Sequence, residues 1–174
     1  RDRPESIRNL IHNKAEVSIH LLGSFSLGGK RKELSPHADL LEHGAIGIAE
    51  SDSIPPIELL RKGLLLNEID KKPIFLAPRD PDIQSYGIVR EGVETLRAGW
   101  IPDPIESETL PLCQLLELQK QYPNSLIRLM NISTAAGVSL LEDSVQRPMA
   151  SVSWWNLISD SSTLSPSEIS WKVI

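Results

Sequence analysis

The sequence predicts an α/β fold built from parallel β/α repeats. Short apolar runs alternate with amphipathic stretches about five times along the chain. The runs are continuous rather than alternating, which is the pattern of strands covered on both faces. Each is followed by enough chain for a crossover helix, which favours parallel pairing with right-handed connections.

The elements follow in order. Residues 4–13 put Ile7, Leu10 and Ile11 at helical spacing, and Pro4 suits a first helical turn. Residues 17–22 (VSIHLL) form a β-type run, and Gly23 to Lys30 a glycine-rich loop. Residues 36–43 read as a helix closed by Gly44, and 45–51 (AIGIAES) as a strand. Over 56–70 a helix has a broad apolar side of Leu59, Leu60, Gly63, Leu64 and Leu66. Residues 72–78 (KPIFLAP) form the next strand. Pro, Gly and Asp crowd the stretch 79–105, which predicts a long loop with a short helix near 89–97. Ser107 is expected to cap a helix that runs to Tyr122 and stops at Pro123 and Asn124. A strand over 125–133, a helix over 135–145 and a strand running into a loop over 148–158 complete the pattern. Ser165, with Glu168 three residues on, fits a capping box for a last short helix.

A chain of 174 residues can bury one core, and no composition shift marks a domain boundary. A net charge of −5 gives no basic footprint for nucleic acid. No apolar run approaches the roughly 20 residues of a membrane span, and the polar start RDRPESIRNL shows no signal peptide. The expected partners therefore include neither nucleic acid nor membrane, and the expected compartment is the cytoplasm. The single Cys113 cannot form an internal disulfide.

In an α/β sheet or barrel, ligands sit at the carboxyl ends of the strands. The residues there are Gly23 to Lys30, Glu50 to Ser53, Ala77 to Asp82, Asn131 to Thr134 and Ser153 to Asn156. They offer the carboxylates Glu50, Asp52, Asp80 and Asp82 and the amides Asn131 and Asn156, but no His or Cys. His12, His37 and His43 fall on helices or their ends, where a solvated or capping role is expected. His20 falls inside a strand, where a hydrogen-bonded core place is expected. No two histidines have the spacing of a helical zinc site. The Gly23–Lys30 loop is one residue too long for a phosphate-binding P-loop, and Arg31 replaces its Ser/Thr. Cys113, beside Leu112, Leu115 and Leu116, reads as a buried, inert thiol. Trp154 and Trp155 at a strand end would point to opposite sides, as packing or as an aromatic wall for a ligand or partner. This inventory fits a scaffold or binding module better than a hydrolase.

Several stretches together resemble the dihydroorotase branch of the amidohydrolase family, in order and at similar spacing. AEVSIHLLGSFSLGGKRKEL (15–34) is similar to its third strand and following loop, and LLEHGAIGIAESDSIPPIELLRKGL (40–64) to its "GA-x-x-FSDDG" strand end and helix. KPIFLAPRDPDI (72–83) is similar to its fifth strand, "P-x-x-x-HCED". REGVETLRAGWIPDPIESETLPLCQLLELQKQY (90–122) resembles the "EG-x-x-S-x-x-x-G-x-x-G-x-P-x-x-AE" loop and helix. IRLMNISTAAGVSLL (127–141) resembles the sixth strand, "H-x-x-HVSTAGSV-x-L", and PMASVSWWNLI (148–158) the seventh, "V-x-x-E-V-x-PHHL". The resemblance implies a partial TIM-type (β/α)8 barrel covering roughly strands 3 to 7, within a single segment 1–174. A closed barrel takes about 250 residues, so the chain is expected to be an internal piece of a longer barrel or to be completed by another chain.

The resemblance also implies what has changed. A metal-ligand His ends the family's fifth strand and another its sixth; Ala77 and Asn131 stand there. The paired histidines after the seventh strand fall on Trp154 to Asn156. The bridging Asp after the fourth strand corresponds to Glu50 or Asp52. The family uses zinc, and with these ligands replaced no metal or other cofactor is expected. Ser133, Thr134 and Gly137 survive, in a role of turning the strand into its helix and capping it. The implied function is a dihydroorotase-like protein that has lost metal binding and catalysis and serves as a structural or regulatory partner. Its expected associates are a completing protein chain, a second copy or a carbamoyltransferase-type protein. One alternative is an active zinc-dependent dihydroorotase, or a related cyclic amidohydrolase, whose remaining ligands lie outside this segment. Another is a metal-free binding module in which Arg79, Asp80, Asn131 and Asn156 contact a polar ring.

Overall fold

The computed structural model describes residues 2–11, 18–50 and 53–159. His12, Asp52 and the expected cap at Ser165 and Glu168 lie outside them.

Five parallel strands form one sheet in the order β1-β2-β3-β6-β7: β1 (Leu22–Ser24), β2 (Gly47–Glu50), β3 (Pro73–Leu76), β6 (Leu126–Leu129) and β7 (Met149–Ala150). The connections are helical. After α1 (Pro4–Ile11), α2 (His37–Glu42) joins β1 to β2, α3 (Ile57–Leu66) joins β2 to β3, and α7 (Ala135–Glu142) joins β6 to β7. The chain is α/β with β/α repeats, consistent with part of a TIM-type barrel; among the described residues the sheet does not close into one.

Between β3 and β6 the chain makes an excursion richer than the expected loop. It holds α4 (Pro81–Gln84), β4 (Val89–Arg90), α5 (Val93–Arg97), β5 (Pro102–Asp103) and α6 (Glu106–Gln121), with β4 and β5 paired as a small parallel sheet of their own. Ser107 does not cap α6: the cap position is Ile105, and Ser107 lies buried inside the first turn. Pro111, also inside α6, has no N–H to give the Ser107 carbonyl one turn back. Asp80 N–H donates to that carbonyl instead, at 2.8 Å. A helix defect is thus used to tie the chain after β3 to the start of α6.

Sheet register decides what is covered. Ile48, Ile74, Leu76, Ile127 and Leu129 share one face and are buried with Leu40, Leu60, Leu64, Leu112 and Leu115 from the helices. The opposite face carries the row Ala49, Phe75, Arg128 and Met149, only partly covered, with Met149 exposed. Among the described residues, strands expected to be covered on both faces are therefore fully covered on one and only partly on the other. The last expected strand also ends early: β7 stops at Ala150, and 154–158 is a short helix, α8 (Trp154–Ile158).

Four side-chain expectations change. His20 precedes β1 and is exposed, whereas His37 on α2 is fully buried. Cys113 is exposed. On a helix, residue 113 is turned about 100° from Leu112 and lies off the stripe of Leu112, Leu115, Leu116 and Gln119 that packs inward. Trp154 and Trp155 do not point to opposite sides. As consecutive residues of a helix they stack, with ring centroids 3.9 Å apart. Among the described residues no helix is long and apolar enough to cross a membrane.

Candidate functional site

The carboxyl edge of the sheet gathers two polar clusters. At β2, Glu50 is buried and its Oε2 accepts Ser26 N–H at 2.9 Å. The glycine-rich stretch after β1 forms a tight turn over it, in which Gly28 and Gly29 have φ of 63° and 65°, a backbone shape that suits glycine. Gly28 N–H donates to Asp2 Oδ2 at 3.0 Å. This loop, one residue too long for a phosphate-binding P-loop, presents two amides to carboxylates of its own chain. Arg31 closes the turn: its N–H donates to Ser26 Oγ at 3.0 Å and its Nη1 to Ser53 Oγ at 2.8 Å.

The second cluster centres on Glu108 of α6, which is almost fully buried. Its Oε1 accepts Thr134 N–H at 3.0 Å and Thr134 Oγ1 at 2.6 Å. Its Oε2 accepts Ser133 N–H at 2.9 Å, Ser133 Oγ at 2.6 Å and Arg90 Nη2 at 3.2 Å. Thr134 in turn accepts Gly137 N–H at 2.9 Å and so caps α7, as expected for Ser133, Thr134 and Gly137. Arg90 completes the cluster from β4. Its Nη1 lies 3.1 Å from Asp103 Oδ2, 2.7 Å from Ser107 Oγ and 3.1 Å from the Pro104 carbonyl, and its Nη2 donates to Ser133 Oγ at 3.0 Å. Ser107 Oγ donates to Asp103 Oδ1 at 2.6 Å. One guanidinium therefore faces two buried carboxylates, and every partner has a hydrogen bond, the condition under which buried charges are tolerated.

Arg90, Asp103 and Glu108 do not figure among the site residues expected from sequence. The available signal was the "EG…P…AE" stretch, whose last two letters fall on Ser107 and Glu108.

The expected site residues lie along the same edge in different roles. Register places Glu50 beside Leu76 and Leu76 beside Leu129, so Glu50, Ala77 and Asn131 follow neighbouring strand ends. Ala77 is buried and Arg79 half-buried. Asp80 caps α4, its Oδ1 accepting Asp82 N–H at 2.9 Å and Ile83 N–H at 3.2 Å. Asn131 is exposed, takes a left-handed φ of 57° and donates its N–H to Ser151 Oγ at 3.2 Å. Asn156 is exposed on α8.

A binuclear zinc centre does not fit the described residues of this edge. Ala77 offers a methyl group, Asn131 a neutral amide, and one Glu50 oxygen already holds an amide. Among the described residues no three His, Cys, Asp or Glu side chains come together as metal ligands.

A parallel β/α sheet with its polar residues at the carboxyl edge is consistent with part of a β/α barrel. No family model matches the chain. It is similar to a protein of Synechocystis sp. named as a probable dihydroorotase-like protein, with 33% identity over 149 residues, 84% of this chain. The chain spans 34% of that relative's length.

Proposed function

We propose that this chain carries the central strands of a dihydroorotase-like barrel that has given up metal-dependent hydrolysis and serves as a structural or regulatory partner. The observation that carries the reading is the pair Ala77 and Asn131 at the ends of β3 and β6, where the resemblance places metal histidines. Hydrolysis of a cyclic amide in this family needs a metal-bound water and a carboxylate to move its proton. A methyl and an amide supply neither ligand strength nor charge there. The fully bonded cluster around Glu108 supports the same reading, because it preserves the turn from β6 into α7 without any metal ligand.

The test is metal analysis of the intact protein, with an assay on dihydroorotate in added zinc. The expected result is zinc well below one ion per chain and no hydrolysis. Stoichiometric zinc with chelator-sensitive turnover would overturn the proposal and favour the active amidohydrolase. A partner role also predicts a stable complex on purification from the source cell, with a carbamoyltransferase-type protein as the expected associate.

A further inference from the structure

His37 stands at the first position of α2 and is fully buried. Its Nε2 lies 2.8 Å from the Phe25 carbonyl oxygen. A carbonyl only accepts, so Nε2 carries the proton and donates. Nδ1 is then the bare nitrogen of a neutral ring, buried without a hydrogen-bond partner. Ser35 Oγ, two residues earlier, is buried without one as well. The Phe25 ring sits against the imidazole, with centroids 5.0 Å apart.

The same Phe25 carbonyl accepts Ser35 N–H at 3.1 Å. It is therefore the neck of the loop 26–34. Above the neck, Ser26 bridges Leu34 and Leu27 N–H donates to the Glu33 carbonyl at 2.9 Å. This loop supplies the Ser26 amide that holds Glu50. His37 thus fastens the loop that covers a buried carboxylate at the sheet edge.

A proton on Nδ1 would add a donor with no acceptor and a full charge where no water reaches. The first turn of a helix also disfavours a cation. The opposing influence is Glu68, just past α3, whose charge favours the imidazolium. Asp39 and Glu42 on α2 itself, and Glu5 and Arg8 on the neighbouring α1, are exposed. From β1's side the ring meets Phe25. Burial outweighs the Phe25 hydrogen bond and Glu68 and holds the imidazole below its ordinary value of 6.5.

We propose that His37 is a proton-operated lock on the 26–34 loop: the neutral ring keeps the neck shut over Glu50, and the protonated ring opens it. The closed form binds the proton more weakly than the open form. Closure is therefore fully favoured above the ordinary imidazole value. Below it, closure weakens by up to about ten-fold per pH unit, one proton's worth, and levels off once the lowered value is passed.

Hydrogen exchange is measured on the intact protein at about pH 7.5 and about pH 5.5, on either side of the ordinary imidazole value. Rates are corrected for the pH dependence of the exchange chemistry itself. Protection of the Leu27 and Ser35 amides should fall by up to about ten-fold per pH unit at the acid end, while that of Leu115 and Leu116 in α6 should not change. His37→Gln keeps a neutral donor for Phe25 and should show the same loop protection at both pH values. Should that variant not fold, the wild-type imidazole is followed by NMR, and its resonances should move with those of Leu27 and Ser35 at a midpoint below 6.5. Unchanged loop protection in the wild type overturns the proposal. So does a His37→Gln loop that opens with the same pH dependence, or an imidazole that titrates at its ordinary value.

Discussion

Glu108 accepts five hydrogen bonds, and its burial makes each of them count. Removing the carboxylate strands the Ser133 and Thr134 donors and leaves Arg90 facing Asp103 alone. Glu108→Ala is expected to cost about 3–5 kcal/mol, the range for breaking a buried ion pair on one side, read by chemical denaturation. A loss under about 1 kcal/mol would show that the cluster relaxes or takes up water. Gly137→Ala probes the same contact from the other side. A methyl there would clash with Glu108 Oε1 and stand 3.1 Å from Thr134 Oγ1. The clash is expected to cost about 1–3 kcal/mol despite the better helix propensity of Ala. Equal or higher stability would refute the tight fit. Apart from the "EG…P…AE" stretch, nothing in the one-dimensional pattern marked Glu108. Buried and solvated glutamates look alike inside a helix, and its partners lie 25 and 26 residues away. His37 escaped for the same reason, since a histidine at a helix start reads as solvated until β1 and α3 are packed around it.

At the scale of elements, strands and helices were legible because apolar runs and helical spacing are local. The limits of α2 and α3 differ from expectation by only a few residues, since caps and left-handed residues such as Asn67 set the ends. The 79–105 region was not legible. Its two-residue strands β4 and β5 are too short to show a period, and they exist because they pair with each other. The close approach of α3 to the chain after β1 was equally hidden. It depends on Gly63, where a Cβ would stand 2.6 Å from Phe25 Cζ. In an exposed helix, Gly→Ala gains about 1 kcal/mol. Here Gly63→Ala is expected to lower stability by about 1–2 kcal/mol, because overpacking outweighs propensity. A rise in the unfolding midpoint would show that Phe25 can move aside.

For the whole molecule, the half-covered sheet is the dominant fact. Among the described residues β1 and β7 each pair on one side only, and Phe75, Arg128 and Met149 line a face that is only partly covered. Open parallel edges and apolar faces promote association. Light scattering on the isolated chain is expected to give a mass above the 19.3 kDa of one copy. Met149→Lys, a charge at the exposed β7 edge, should shift the population toward monomer. A monodisperse monomer from the unsubstituted chain would show that the sheet needs no cover.

The pairing of β3 with β6 sets an order on the folding reaction. The pairs β1–β2, β2–β3 and β6–β7 each join strands separated by one helix, so their loops close early and at small entropic cost. The Pro73–Leu126 register instead joins positions some fifty residues apart, with the whole 77–125 excursion in between. Two short-range halves can therefore form first and zip together last. The tie from Asp80 to the carbonyl freed by Pro111 is well placed to hasten that late step, because it shortens the loop that must close.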